Sequence, residues 1–152
     1  MQPVSFVVPV YNEIENITRL HQEILAVAQT LGVDFEIIMV DDGSTDGTYK
    51  VLKSLSPITI IRMRTNFGQT SALDAGIKAA QYPYIITMDG DLQNDPADSP
   101  ALIQYLEANE LDVVSGWRKN RKDPITKKFV SRVANLLRSV LVEDGIHDSG
   151  CT

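Results

Sequence analysis

The chain has 152 residues, 43% of them hydrophobic, which suffices for one domain with a substantial core and leaves no room for a second. Its net charge of -6 argues against bulk nucleic-acid binding, for which a domain is usually basic as a whole. The lone Cys151 excludes an internal disulfide, and no uncharged apolar stretch approaches the roughly 18 residues that suggest a membrane span.

The start, Met1-Gln2-Pro3-Val4, lacks the charged and apolar regions of a signal peptide, so a reducing, cytoplasmic setting is expected. A first strand is predicted from Ser5 to Val10, followed by Tyr11-Asn12-Glu13. Ile14, Ile17, Leu20, Ile24, Val27 and Leu31 then recur at helical spacing, and Asn12 with Glu15 resembles a capping box at the helix start. A second strand, Phe35 to Val40, ends in Asp41-Asp42-Gly43-Ser44, and a helix follows Thr45 or Asp46. A third strand, Ile58 to Met63, ends in Arg64-Thr65-Asn66 ahead of a helix near Thr70 to Ala80. A fourth, Tyr84 to Met88, ends in Asp89-Gly90-Asp91, with a helix beginning around Ser99-Pro100. A fifth strand is predicted from Asp112 to Ser115, and a last helix from about Ile125 to Val142.

That last helix carries an apolar stripe of Ile125, Phe129, Val133, Leu136 and Val140, with Lys127, Lys128 and Arg138 largely opposite. Residues 1–117 hold 6 basic and 16 acidic side chains, whereas 118–138 hold 8 basic ones and only Asp123 as an acid. One basic segment on an acidic chain points to a localised anionic partner, phosphate or anionic lipid, and a basic amphipathic helix can lie on such a membrane.

Strands alternating with helices predict an α/β fold, a mostly parallel sheet covered on both faces. Ligands in such sheets sit at the strands' carboxyl ends, where all five predicted strands place polar or small residues. Asp41, Asp42, Asp89 and Asp91 would crowd like charges at that rim unless a cation or hydrogen-bond donors offset them. Mg²⁺ or Mn²⁺ suits oxygen ligands, and Mg²⁺ takes one or two carboxylates plus phosphate oxygens and water. Asp89 and Asp91 offer that sparse shell, and Gln93 could add a carbonyl oxygen. The cation would neutralise charge on a departing nucleoside diphosphate, while Asp41 or Asp42 accepts hydrogen bonds from a nucleobase or ribose. His21 and His147 lack a second ligand at zinc spacing.

Val8-Pro9-Val10-Tyr11-Asn12-Glu13, Val40-Asp41-Asp42-Gly43-Ser44-Thr45-Asp46-Gly47-Thr48 and Asp89-Gly90-Asp91-Leu92-Gln93 together resemble the family 2 glycosyltransferases. The resemblance extends through Asn66-Phe67-Gly68-Gln69, Asp95-Pro96, Ser115-Gly116-Trp117-Arg118, Arg121 and Asp123-Pro124. It is strongest toward polyprenyl-phosphate glycosyltransferases, the group that includes dolichol-phosphate mannosyltransferase and undecaprenyl-phosphate sugar transferases. It implies an inverting enzyme of GT-A fold, a Rossmann-like sheet flanked by helices, that moves a sugar from a UDP- or GDP-sugar to a polyprenyl phosphate at the inner face of the membrane. By that resemblance Asp89 and Asp91, with Gln93, place the metal and donor diphosphate. Pro9, Tyr11, Glu13 and Asp41 line the nucleoside pocket, joined by Asp42 and Asn66. Arg118, Arg121 and Arg132 bind the acceptor phosphate. Asp148, in His147-Asp148-Ser149-Gly150-Cys151, resembles a downstream acidic motif and is the candidate for base or acceptor orienter. Relatives continue beyond the point matching Thr152, so residues 1–152 are expected to be a catalytic domain incomplete at its carboxyl end, able to bind nucleotide with weak or no turnover.

Four rival classes fit less well. The G-x-G-x-x-G fingerprint of dinucleotide enzymes is absent after the first strand, and a nucleotidyltransferase would carry a basic, glycine-rich loop where Tyr11-Asn12-Glu13-Ile14-Glu15 is acidic. A phosphorelay receiver has its acidic pair after the first strand rather than the second. A non-catalytic nucleotide-sugar-binding module would not need the basic 118–138 segment. A glycosyltransferase with a sugar hydroxyl as acceptor remains the alternative within the family.

Overall fold

The computed structural model describes residues 1–116, of which Met1–Asp112 form one compact unit. Its elements alternate: β1 (Val4–Val10), α1 (Ile17–Thr30), β2 (Phe35–Asp41), α2 (Thr48–Leu52), β3 (Thr59–Arg62), α3 (Gln69–Ala79), β4 (Tyr84–Thr87), a 3₁₀ turn (Pro96–Asp98) and α4 (Ser99–Ala108). The four strands form one parallel sheet in the order β3-β2-β1-β4, so the chain reverses direction of winding at β1. β1 pairs from Val4 opposite Phe35 to Val10 opposite Asp41 on one side, and from Val4 opposite Tyr84 to Val7 opposite Thr87 on the other.

All seven residues of β1 are buried because both faces of the sheet are covered. Side chains alternate along a strand, and the core divides accordingly. Val4, Phe6, Val8 and Val10 of β1, with Ile37 and Met39 of β2, pack with Ile17, Leu20 and Ile24 of α1, Leu52 of α2 and Ile103 of α4. Val7, Ile38 and Val40 pack on the opposite side with Ala72 of α3. Each fully buried apolar side chain of this kind contributes roughly 1.5–3 kcal/mol. Gly76 lets α3 approach β1 closely, since a Cβ there would collide with Val7 Cγ1. At the amino end of the sheet, Ser5 Oγ donates to Glu36 Oε1 (2.6 Å), which also accepts the Gln81 amide (2.7 Å), anchoring the α3–β4 connection.

Two expectations are corrected. The Asn12/Glu15 capping box does not form: α1 starts at Ile17 behind the N-cap Asn16, which makes no side-chain cap. Asn12 has a left-handed backbone (φ 56), and its side-chain oxygen instead accepts the Thr45 amide at 2.9 Å. Residues 112–115 form no strand, because their backbone enters no ladder; two valines between Asp112 and Ser115 are too short an apolar run to fix one by themselves. The predicted helix 125–142, its basic face, and Arg118, Arg121, Arg132 and Asp148 lie outside the described residues. No helix among the described residues is long and apolar enough to cross a membrane.

Candidate functional site

A cavity of about 330 Å³ opens at the carboxyl ends of the strands. Its walls come from Pro9 and Val10 at the end of β1, Tyr11 and Glu13 after it, Asp42 after β2, Asn66, Gly68 and Gln69 before and at the start of α3, and Asp89, Gly90 and Asp91 after β4. Concave sites of this size at a change in winding direction are where open α/β sheets bind ligands. Of the residues singled out from sequence, the cavity brings together Pro9, Tyr11, Glu13, Asp42, Asn66, Asp89 and Asp91, while Asp41 and Gln93 stand outside the lining.

Strand alternation separates the two adjacent aspartates. Asp41, fully buried, follows Ile37 and Met39 toward the α1 and α2 side. Its Oδ1 accepts the Ser44 amide at 2.9 Å, and its Oδ2, which has no hydrogen-bond partner, lies 3.6 Å from Arg62 Nε. The Arg62 guanidinium in turn sits over the Tyr49 ring, 4.0 Å from its centroid. Asp42 follows Ile38 and Val40 to the α3 side, where its two oxygens accept the amides of Phe67 (2.8 Å) and Gly68 (2.9 Å). Amide donors and Arg62 thus offset this first pair of charges, which leaves Asp89 and Asp91, of the four rim aspartates, as the pair that a cation would balance.

The β1–α1 loop is held by the segment after β2. Three successive amides, of Asn12, Glu13 and Ile14, donate to Ser44 Oγ (2.9 Å), Thr48 Oγ1 (2.9 Å) and Asp46 Oδ2 (3.2 Å). Thr48 Oγ1 in turn donates a hydrogen bond to Asp46 Oδ1 at 2.6 Å, and the Thr48 amide donates to the same oxygen at 2.9 Å. Burial pushes the Asp46 carboxyl up, but the donors from Thr48 and Ile14 outweigh it and hold the group below the usual carboxylate value. Ser44, Asp46 and Thr48 belong to the motif read from sequence but carry no role of their own there, although Asp-Gly-Thr just ahead of a helix is a capping signal.

At β4, Gly90 permits the acidic segment to lie against β1: a Cβ there would meet Val10 Cγ1 at 3.0 Å and the Pro9 carbonyl at 3.3 Å. Asp91 Oδ1 accepts the Gln93 amide at 3.0 Å, so the backbone of Gln93 supports the pair. Leu92 between them has φ 62, a conformation costly for a side-chain-bearing residue and typical of functional turns. Asp89 Oδ1 accepts from Gln69 Nε2 at 2.6 Å, a contact no spacing rule would reveal.

No group of three or more His, Cys, Asp or Glu suited to a metal occurs among the described residues. Two cavity carboxylates, each with one oxygen engaged by the protein, do not make a closed cage. They fit a divalent cation that completes its shell with substrate phosphate oxygens and water, as Mg²⁺ and Mn²⁺ do.

Residues 5–148 match the family model described as glycosyl transferase family 2. The dodecaprenyl-phosphate galacturonate synthase of Rhizobium johnstonii is 42% identical over 98% of this chain and 46% of its own length. The undecaprenyl-phosphate 4-deoxy-4-formamido-L-arabinose transferase of Pectobacterium carotovorum is 37% identical over 97% of this chain and 46% of its own. The chain thus spans just under half the length of these relatives. Among solved structures, the glucosyl-3-phosphoglycerate synthase of M. tuberculosis has the same fold, with a TM-score of 0.66 and 22% identity over 90% of this chain and 52% of that one. A mannosyltransferase of Pyrobaculum calidifontis, solved with GDP-Man and Mn²⁺, has a TM-score of 0.59 and 22% identity over 69% and 32%. A parallel sheet that gathers the β1, β2 and β4 motifs around one cavity, together with a family match along nearly the whole sequence, establishes that the chain belongs to glycosyl transferase family 2.

Proposed function

We propose that this chain supplies the donor-binding half of an inverting glycosyltransferase that moves a sugar from a nucleotide-diphosphate sugar, UDP- or GDP-linked, to a polyprenyl phosphate at the cytoplasmic face of a membrane. The observation that carries this reading is the cavity in which Asp89 and Asp91 face the Pro9–Glu13 loop and Asp42. The polyprenyl acceptor draws its support from relatives at 42% and 37% identity whose names specify polyprenyl-phosphate products or substrates.

In this reading the chemistry divides along the cavity. Asp42, fixed by two backbone amides, keeps lone pairs for N–H or O–H donors of the nucleoside, and Tyr11, 45% exposed, adds an aromatic side chain to the cavity lining. Asp89 and Asp91 are the residues that would hold Mg²⁺ or Mn²⁺, which when bound neutralises charge on the departing diphosphate. Gln93 supports Asp91 through its backbone. A phosphate monoester, with a second pKa near 6, is already largely dianionic at neutral pH and attacks without a general base. Asp148 would then orient the acceptor, and Arg118, Arg121 and Arg132 would bind its phosphate.

Thermal unfolding with UDP, GDP, CDP and ADP, each with and without Mn²⁺, tests the donor half. A diphosphate at about a hundred times its dissociation constant adds roughly 2.7 kcal/mol of stability. One nucleobase should stabilise the protein, with Mn²⁺ required, and the Asp89→Ala, Asp91→Ala double variant should lose the effect. A folded protein that none of the four stabilises would sink the proposal. Transfer of labelled sugar into polyprenyl phosphate, and not onto a sugar hydroxyl, is the expected acceptor preference.

A further inference from the structure

We propose that Gln69 is a positioning residue for the acidic pair: it holds the Asp89 carboxylate with one oxygen occupied and the other available to the cavity, and it takes its own place from Asp42. The inference rests on the donor-site reading above and extends it to a residue with no role there.

A carboxylate only accepts hydrogen bonds, so the amide nitrogen of Gln69 must be the end that faces Asp89, and the 2.6 Å contact is a charge-assisted bond. Among the described residues, Gln69 is the one donor to Asp89. Gln69 is also the first residue of α3, and what precedes it is tightly defined. Gly68 has φ 92 and ψ 156, a conformation essentially reserved for glycine. Its amide donates to Asp42 Oδ2 at 2.9 Å and to Asn66 Oδ1 at 3.1 Å, while the Phe67 amide donates to Asp42 Oδ1 at 2.8 Å. A continuous path of hydrogen bonds and one fixed turn therefore runs around the cavity, from the carboxylate at the end of β2 to the carboxylate at the end of β4.

A purely structural role explains this poorly. Gln69 is exposed and caps no buried group, so its removal leaves the sheet and both cores untouched. What it does control is the orientation of Asp89. Partners that orient a metal-binding side chain typically change metal affinity 10–100-fold when removed.

The test is the Mn²⁺ midpoint for binding of UDP and of GDP, measured beside the unliganded melting temperature, in the wild-type chain and in Gln69→Ala, Gln69→Glu and Gly68→Ala. Gln69→Ala should need about 10-fold more Mn²⁺ with its melting temperature nearly unchanged. Gln69→Glu, equal in length but lacking the donor, should be at least as impaired. Gly68→Ala, whose added Cβ would meet nothing within 4 Å, should shift the midpoint in the same direction by displacing the turn alone. An unchanged midpoint in Gln69→Ala, with the wild type still Mn²⁺-dependent, overturns this inference and leaves the donor-site reading standing. A wild type that binds neither diphosphate in a Mn²⁺-dependent way overturns both.

Discussion

Alanine at position 42 is expected to lower the unfolding free energy by roughly 3–5 kcal/mol and to abolish stabilisation by nucleotide. Asp42 is 2% exposed, and each of its oxygens accepts one backbone amide, from Phe67 and from Gly68. Hydrogen bonds to a charged group contribute about 1.5–3 kcal/mol each, and a buried amide left without a partner carries its own desolvation cost. Gly68 retains Asn66 Oδ1 as a second acceptor, whereas Phe67 has no such reserve among the described residues. Asp42→Asn should fall between wild type and alanine, because its single carbonyl oxygen serves one amide and turns an NH₂ group toward the other. Urea unfolding reads both effects as a shift in midpoint at constant slope. A loss below about 1 kcal/mol in the alanine variant would show that the β3–α3 loop is held by something other than this carboxylate.

Gly43→Ala is expected to cost about 2–5 kcal/mol and to weaken nucleotide binding without altering any cavity side chain. Gly43 has φ +73, where a Cβ costs roughly 1–2 kcal/mol of backbone strain. The Cβ would also stand 2.5 Å from the Thr65 carbonyl carbon and 2.7 Å from the Asn66 nitrogen. Those are main-chain atoms that cannot swing aside, so the β3–α3 loop must shift, adding about 1–3 kcal/mol of overpacking. Asn66 lines the cavity and moves with it. Gly32→Ala is the matched control: its φ is +68 but nothing lies within 4 Å of an added Cβ. The difference between the two variants in urea unfolding isolates the steric part, and equal losses would remove the claim that the loops after β2 and β3 are in obligatory contact.

Four strands were legible to within a residue or so, because runs such as Phe6-Val7-Val8 and Ile37-Ile38-Met39-Val40 are apolar on both faces, and that pattern has few solutions besides a buried parallel strand. The start of α1 is not legible locally, for a physical reason. Asn12 and Glu15 have the spacing of a capping box, but the Asn12 side chain is taken by Thr45, thirty-three residues away, and local spacing carries no information about such a partner. Which of Asp41 and Asp42 lines the cavity was likewise hidden, although the two-residue period of β2 decides it once the faces of the sheet are known. The acidic segment after β4 was readable as oxygen chemistry. Its partner Gln69 was not, because the link to Asp89 spans twenty residues and depends on how closely two strand ends approach.

Manganese electron paramagnetic resonance tests the donor site most directly, because it counts free Mn²⁺ while nucleoside diphosphate is titrated in. A cation shared between Asp89, Asp91 and a diphosphate predicts that free Mn²⁺ falls well below the level set by nucleotide alone only when protein and diphosphate are both present, and that the Asp89→Ala, Asp91→Ala variant abolishes the difference. A free-Mn²⁺ signal that the protein leaves unchanged, or an undiminished effect in the double variant, would contradict a metal-diphosphate site at the end of β4.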